Sequence, residues 1–154
     1  MSYELSPSDI SVDMLPLMYS TSYFDTVKDA MAYIQKYLYD YPTGITLAFG
    51  DIEIYRRAPY PYMKYGVTSS GIIFHWNMVS LNDADYVLPR IYIKNTLYGP
   101  INYISICTDY NTKEVIERAR LVLLTFYQKV KPTDNILHID GNTENDHMCN
   151  LVWA

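Results

Sequence analysis

The sequence predicts an α+β fold with small antiparallel sheets, and three observations carry that expectation. Residues 23–39 repeat their apolar side chains at helical spacing. From residue 45 onward the period falls to short β-type runs divided by Gly, Pro and Asn. The stretch 136–142 then reads as a strand running into a tight turn.

The chain has 154 residues, 49% of them apolar, which suits one compact domain or one domain with a smaller appendage. Charged residues make up only 19%, while tyrosine is abundant at 17 residues, a side chain with an apolar body and a polar tip. The net charge of −5 argues against holding nucleic acid by bulk charge alone. That charge is unevenly placed. Residues 1–54 sum to −6, residues 55–100 to +3 and residues 101–154 to −2. The split suggests either a binding half beside an accessory half or one domain with an acidic face. Two cysteines, Cys107 and Cys149, exclude a disulfide-dense scaffold and a four-cysteine zinc site, and read as free thiols of a cytosolic protein. The acidic opening residues lack the basic, then apolar, pattern of a signal peptide. No run of about 18 apolar residues marks a membrane span.

Taken in order, residues 1–20 contain Pro7 and Pro16 and read as an extended lead-in. The helix expected over 23–39 carries Phe24, Val27, Met31, Ile34 and Leu38 on its stripe, widened by Tyr23, Ala30 and Tyr37. Ser22 or Asp25 is the candidate cap, and Tyr41-Pro42-Thr43-Gly44 the stop. Residues 45–49 and 52–55 form a hairpin about Gly50-Asp51. Pro59 and Pro61 suggest a boundary between the two halves of the chain. Residues 66–74 contain a turn at 68–71, and 87–93, 101–108 and 114–117 read as further strands, with a turn at Tyr98-Gly99-Pro100. In 101–108 each alternate face mixes apolar and polar groups, so neither is marked as the core side. Residues 118–127 (RARLVLLTFY) fit helix or buried strand equally, and Pro132 closes that segment. Residues 145–150 suggest a short helix.

The run LHIDGNTENDHMCNLVW, residues 137–153, resembles the core of HNH endonucleases of the homing type common in phages. The matching residues are His138, Asp140-Gly141-Asn142, Asn145, Asn150-Leu151 and Trp153. Upstream, residues 119–126 look like the helix that precedes this motif in the family. Residues 65–73, with Leu88-Pro89-Arg90, Tyr98-Gly99 and the strand near 101–107, look like the associated modular domain. The resemblance covers about residues 62–154 and implies three parts. These are an acidic N-terminal part of unknown type (1–60), a small β-rich module (61–112) and an HNH-like ββα remnant (113–154).

In that family a hairpin and short helix hold one divalent metal against a scissile phosphate, and a histidine activates water. The resemblance implies His138 as the general base and Asn150 as the asparagine that fixes the hairpin. Asp140, Gly141 and Asn142 would shape the turn, with Gly141 at its corner. Three departures point to a degenerate site. Leu137 stands where the family places a metal-ligating residue before the histidine. The sequence stops one residue after Trp153, short of a second expected ligand. Ala119-Arg120 replaces His-Arg at the upstream helix. Any metal, Mg²⁺ or Mn²⁺, would have to be recruited through Asp140, Asp146 or His147, and otherwise no cofactor is expected.

Arg56, Arg57, Lys64, Arg90 and Lys94 are candidate phosphate contacts, or else a solvated basic face. Tyr55, Tyr60, Tyr62 and Tyr65 suit base stacking, a protein interface, or packing on the local sheet. His75 and His147 read as ordinary side chains, and Cys149 as a buried small apolar residue. The expected function is a phage-type protein built on a homing-nuclease module and reused for binding or structure. A protein partner, in a virion or host complex, is expected, with DNA as a further partner and no membrane. The expected location is the cytoplasm of an infected bacterium or the virion. The alternative is an active metal-dependent DNA endonuclease using His138 as base.

Overall fold

A computed structural model describes residues 23–48, 50–76, 89–127 and 135–154. The expected lead-in over 1–20, the cap candidate Ser22, Phe49, the start of the strand expected from residue 87 and the stop at Pro132 lie outside the described residues.

Helix α1 runs Val27–Tyr37 and is capped by Thr26, whose hydroxyl accepts the Asp29 backbone N–H at 3.1 Å. Asp29 in its first turn and Lys36 in its last complement the helix dipole. Of the expected stripe, Phe24, Ala30, Ile34, Tyr37 and Leu38 meet the core, but Val27 and Met31 do not. Ala30 and Tyr33 are fully covered, whereas Val27 and Met31 are 52% and 50% exposed. The small Ala30 lets the helix lie close to the sheet, and Tyr33 reaches across to Tyr127 with its hydroxyl 2.5 Å away. Leu38 turns extended, so the helix ends ahead of Pro42.

The first sheet has the order β1-β2-β3-β4, all antiparallel: β1 (Gly44–Ala48), β2 (Asp51–Arg57), β3 (Tyr65–Thr68) and β4 (Ile73–His75). Gly50, at φ +87°, turns β1 into β2, so the expected hairpin stands. The second sheet is β5 (Ile91–Thr96), β6 (Gly99–Cys107) and β7 (Lys113–Glu117), again antiparallel. In β6 the buried face is Asn102, Ile104 and Ile106, with Ile104 opposite Ile91 and Ile116. Helix α2 (Arg118–Phe126) follows β7 directly. Its Leu121, Val122, Leu123 and Phe126 are wholly buried, so it is a core helix covered nearly all round. That explains why periodicity left it ambiguous. Finally β8 (Ile136–His138) pairs with β9 (Leu151–Trp153), and a single 3₁₀ turn, Met148–Asn150, precedes β9. The architecture is α+β, as expected. In the C-terminal region the 3₁₀ turn falls between the two strands of the hairpin, and α2 precedes both.

One core joins these parts. Phe24, Tyr33, Ile54, Val67, Ile104, Leu121, Phe126, Met148 and Leu151 belong to the same buried cluster. The boundaries expected at 60/61 and 112/113 both fall inside hydrogen-bonded sheets. Tyr55 pairs with Thr68 across the first, and β7 completes the second sheet with Ile104 opposite Ile116.

A buried carboxylate fastens the 68–71 turn. Glu53 accepts hydrogen bonds from Thr68 Oγ1 at 3.1 Å, Ser69 Oγ at 2.8 Å, the Ser70 hydroxyl and Ser70 N–H. Burial raises its pKa, and those donors oppose the rise. The Ser69 carbonyl in turn accepts the Met148 N–H at 2.7 Å, which connects the first sheet to the C-terminal hairpin.

Candidate functional site

The site is assembled on the β8–β9 hairpin. Antiparallel pairing sets His138 opposite Leu151 and Leu137 opposite Val152. After His138 the chain reverses at Gly141, whose φ of +75° suits a residue without a Cβ. The Gly141 N–H closes the turn on the His138 carbonyl at 3.0 Å.

Asn150 locks this turn from inside. It is fully buried. Its Oδ1 accepts the Asp140 N–H at 3.0 Å, and its Nδ2 donates to Asp140 Oδ1 and to the Asn145 carbonyl, both at 2.9 Å. Asp140 Oδ1 also accepts the Asn142 N–H at 2.8 Å, and Oδ2 accepts Asn145 Nδ2 at 3.0 Å. Every oxygen of the Asp140 carboxylate therefore faces N–H donors of its own loop. That arrangement fastens the turn from within. Asn142 accepts the Glu144 N–H at 3.1 Å, an Asx turn within the same loop.

His138 meets Asp146. Its Nε2 lies 2.8 Å from Asp146 Oδ1, with side-chain exposures of 9% and 1%. The other carboxylate oxygen, Oδ2, accepts Arg118 Nε at 2.9 Å and Asn102 Nδ2 at 3.1 Å. Beside the guanidinium the carboxylate acts as acceptor on both oxygens, so the ring donates from Nε2. Nδ1 is then the nitrogen left for chemistry. Leu137, the preceding residue, is 54% exposed and offers no ligand atom.

His147 is different. It is 3% exposed and stacks on Tyr23 with ring centroids 3.5 Å apart. Its Nδ1 accepts the Cys149 N–H at 3.0 Å, which caps the 3₁₀ turn. Burial pushes its pKa down to about 3, so it stays neutral at ordinary pH. Burial likewise pushes the Cys149 thiol up to about 12, which leaves no thiolate nucleophile. Asp146 and His147 thus each make hydrogen bonds to other parts of the fold. Among the described residues no group of three or more His, Cys, Asp or Glu side chains is placed to hold a metal ion.

The five basic candidates separate. Arg56 is completely buried, its guanidinium 4.6 Å from the Tyr39 ring and bonded to Thr43 Oγ1 and the Tyr39 carbonyl at 2.7 Å each. The rings of Tyr39, Tyr41 and Phe126 enclose it. Arg57 is half-buried, donates to the Met63 carbonyl at 2.6 Å and lies over Trp76. Lys64 donates to Asn111 Oδ1. Arg90 and Lys94 are exposed, Arg90 lying 5.0 Å from the Tyr92 ring. Tyr92 and Lys94 share the outer face of the second sheet with Tyr103 and Ile101.

The tyrosines mostly pack. Tyr65 is buried and accepts the Cys107 N–H at 2.8 Å, and Tyr55 meets Phe74 and Trp76. Tyr60 is exposed and bonds Tyr110, and Tyr62 is half-buried against the core. His75 is exposed beside Tyr65. Sequence reasoning missed Arg118, Asn102 and Tyr23 at the site. Asn102 shares the buried face of β6 with Ile104 and Ile106, and that polar residue beside inward isoleucines is the one local signal.

No family model matches the sequence, and no curated protein matches it. A solved structure titled "DNA binding and cleavage by the HNH homing endonuclease I-HmuI" is similar at a TM-score of 0.48 and 17% identity. The similarity covers 65% of this chain and 51% of that one, so the chain spans about half the length of that structure. No helix among the described residues is long and apolar enough to cross a membrane.

Proposed function

We propose that the chain is a binding protein of HNH-nuclease descent, its hairpin kept as a scaffold and its cutting chemistry lost. The observation that carries this reading is Leu137. An aliphatic, half-exposed side chain occupies the position beside His138 where the resembled HNH family places a metal ligand. The hairpin also closes on itself without a cation, because Asn150, Asn145 and Asp140 satisfy one another.

The exposed strand β5 is the binding surface on this reading. Arg90, Tyr92 and Lys94 suit a phosphate backbone and stacked bases, while Leu97 and Tyr98, 99% and 87% exposed at the β5–β6 turn, suit a protein partner in a phage particle or host complex. A gel-retardation series with duplex DNA at about 50 and 200 mM salt separates the two. Retardation that weakens about tenfold in Arg90→Ala/Lys94→Ala, with a shallower salt slope, identifies DNA as the ligand. No retardation at any salt, with a stoichiometric complex formed through the Leu97-Tyr98 turn, identifies a protein.

A second reading has its own support. The 2.8 Å contact of His138 with a buried, guanidinium-paired Asp146 holds the ring in one orientation with Nδ1 uncommitted. That suits a general base in phosphodiester hydrolysis. Mg²⁺- or Mn²⁺-dependent nicking that disappears in His138→Ala is its test.

A further inference from the structure

We propose that Arg118 and Asn102 are positioning residues for His138, acting through Asp146. Neither touches the imidazole. Both grip the same oxygen, Asp146 Oδ2, at 2.9 and 3.1 Å, and the opposite oxygen holds His138 Nε2 at 2.8 Å. The carboxylate has one rotation about its Cγ that satisfies all three donors. Fixing Oδ2 therefore fixes Oδ1, and with it the face and tilt of the ring.

The two residues come from different parts of the fold. Arg118 opens α2, straight after β7, and Asn102 is the polar residue on the buried face of β6. Each also donates to the Glu144 carbonyl, Arg118 at 3.4 Å and Asn102 at 3.2 Å, so they hold the loop that carries Asp146 as well as its side chain. Thr143 adds a bond to the Pro100 carbonyl at 2.5 Å, docking the same loop on the start of β6. Gly71 completes the enclosure. A Cβ there would lie 3.3 Å from Arg118 Nε and 3.5 Å from the Asp146 carbonyl oxygen, so the 68–71 turn closes directly over the pair. The ring on the hairpin is thus oriented by two residues distant in sequence, and the second sheet and α2 are parts of the site.

The functional weight of this inference rests on the hydrolytic reading of His138, but its test reads the ring itself. In ¹⁵N-labelled full-length protein, proton–nitrogen spectra should show a slowly exchanging His138 Nε2–H. Arg118→Met should speed that exchange at least about tenfold, the equivalent of roughly 1.4 kcal/mol of lost protection. Arg118→Lys should recover part of it, and Asn102→Ala should behave like Arg118→Met. Asn102→Thr, which keeps a donor, serves if the alanine variant does not fold. Backbone amides of β6 and α2 report folding in each sample. An Nε2–H signal unchanged in Arg118→Met and Asn102→Ala but lost in Asp146→Asn overturns the proposal, as does a wild-type ring that carries its proton on Nδ1. Absence of DNA cleavage by the wild type removes the hydrolytic reading alone and leaves these spectra to decide the positioning roles.

Discussion

Asp146 Oδ1 stands 2.8 Å from His138 Nε2, inside a carboxylate site that is 1% exposed and closed on its other side by Arg118. The contact ties a hairpin strand to the start of α2 through one side chain. Removing the carboxylate strands a half-buried guanidinium and an unpaired imidazole. Asp146→Ala should therefore cost about 3 kcal/mol, within the range for breaking one partner of a buried pair. Urea denaturation measures it. A loss below about 1 kcal/mol would mean that the pair is solvated and weak.

Asn150 bears on the turn rather than on chemistry. Its amide makes three hydrogen bonds in a fully buried position. Asn150→Ala leaves the Asp140 N–H and the Asn145 carbonyl without partners, at about 1 kcal/mol or more each. A loss of about 2–3 kcal/mol in unfolding free energy, read by urea denaturation, is expected. Asn150→Asp should lose the two bonds donated by Nδ2 and place a second carboxylate against Asp140, so it should be no better tolerated.

His147 predicts a pH dependence of stability. Its pKa falls from the usual 6.5 to about 3 in the fold. The unfolded chain therefore binds a proton between those values and the native chain does not. This contribution to stability is complete above about pH 6.5 and is lost as the pH falls toward 3. The slope approaches about 1.4 kcal/mol per pH unit in the middle of that window. Denaturation of wild type and His147→Asn at pH 7 and pH 5 checks it. Asparagine keeps a cap acceptor and does not titrate, so the variant should lose less stability on acidification than wild type.

Gly71 sits at φ +90° with Arg118 and Asp146 against it. Gly71→Ala meets backbone strain and a Cβ contact at 3.3 Å from Arg118 Nε. A destabilisation of about 1–2 kcal/mol is expected, together with a changed His138 signal, because the displaced guanidinium is the one that holds Asp146. Calorimetry and proton–nitrogen spectra read the two effects separately.

Much of this fold is legible locally. The β1–β2 hairpin, the β6 strand and the Asp140–Asn142 turn each carry their own signal in period or turn chemistry. What local pattern does not show is which face becomes the core. The α1 stripe reads Val27 and Met31 inward, yet the helix rolls onto Ala30 and Tyr33, because Tyr33 has Tyr127 to bond and Ala30 permits close approach. Arg56 reads as a surface cation until Tyr39, Tyr41 and Phe126 are seen packed around it. The motif residues His138 and Asn150 are plain in the sequence. Their supports, Arg118 and Asn102, lie 20 or more positions away and are brought in by tertiary packing, so no spacing rule marks them.

On the proposed function, the hairpin survives as a scaffold while metal-dependent cutting has lapsed. A plasmid-nicking assay with Mg²⁺ and Mn²⁺, run beside His138→Ala on demonstrably folded protein, tests it most directly. The predicted result is no nicking beyond that of the His138→Ala control, even at high protein concentration. Nicking by the wild type that vanishes in His138→Ala would contradict the claim and make His138 the base of a working nuclease.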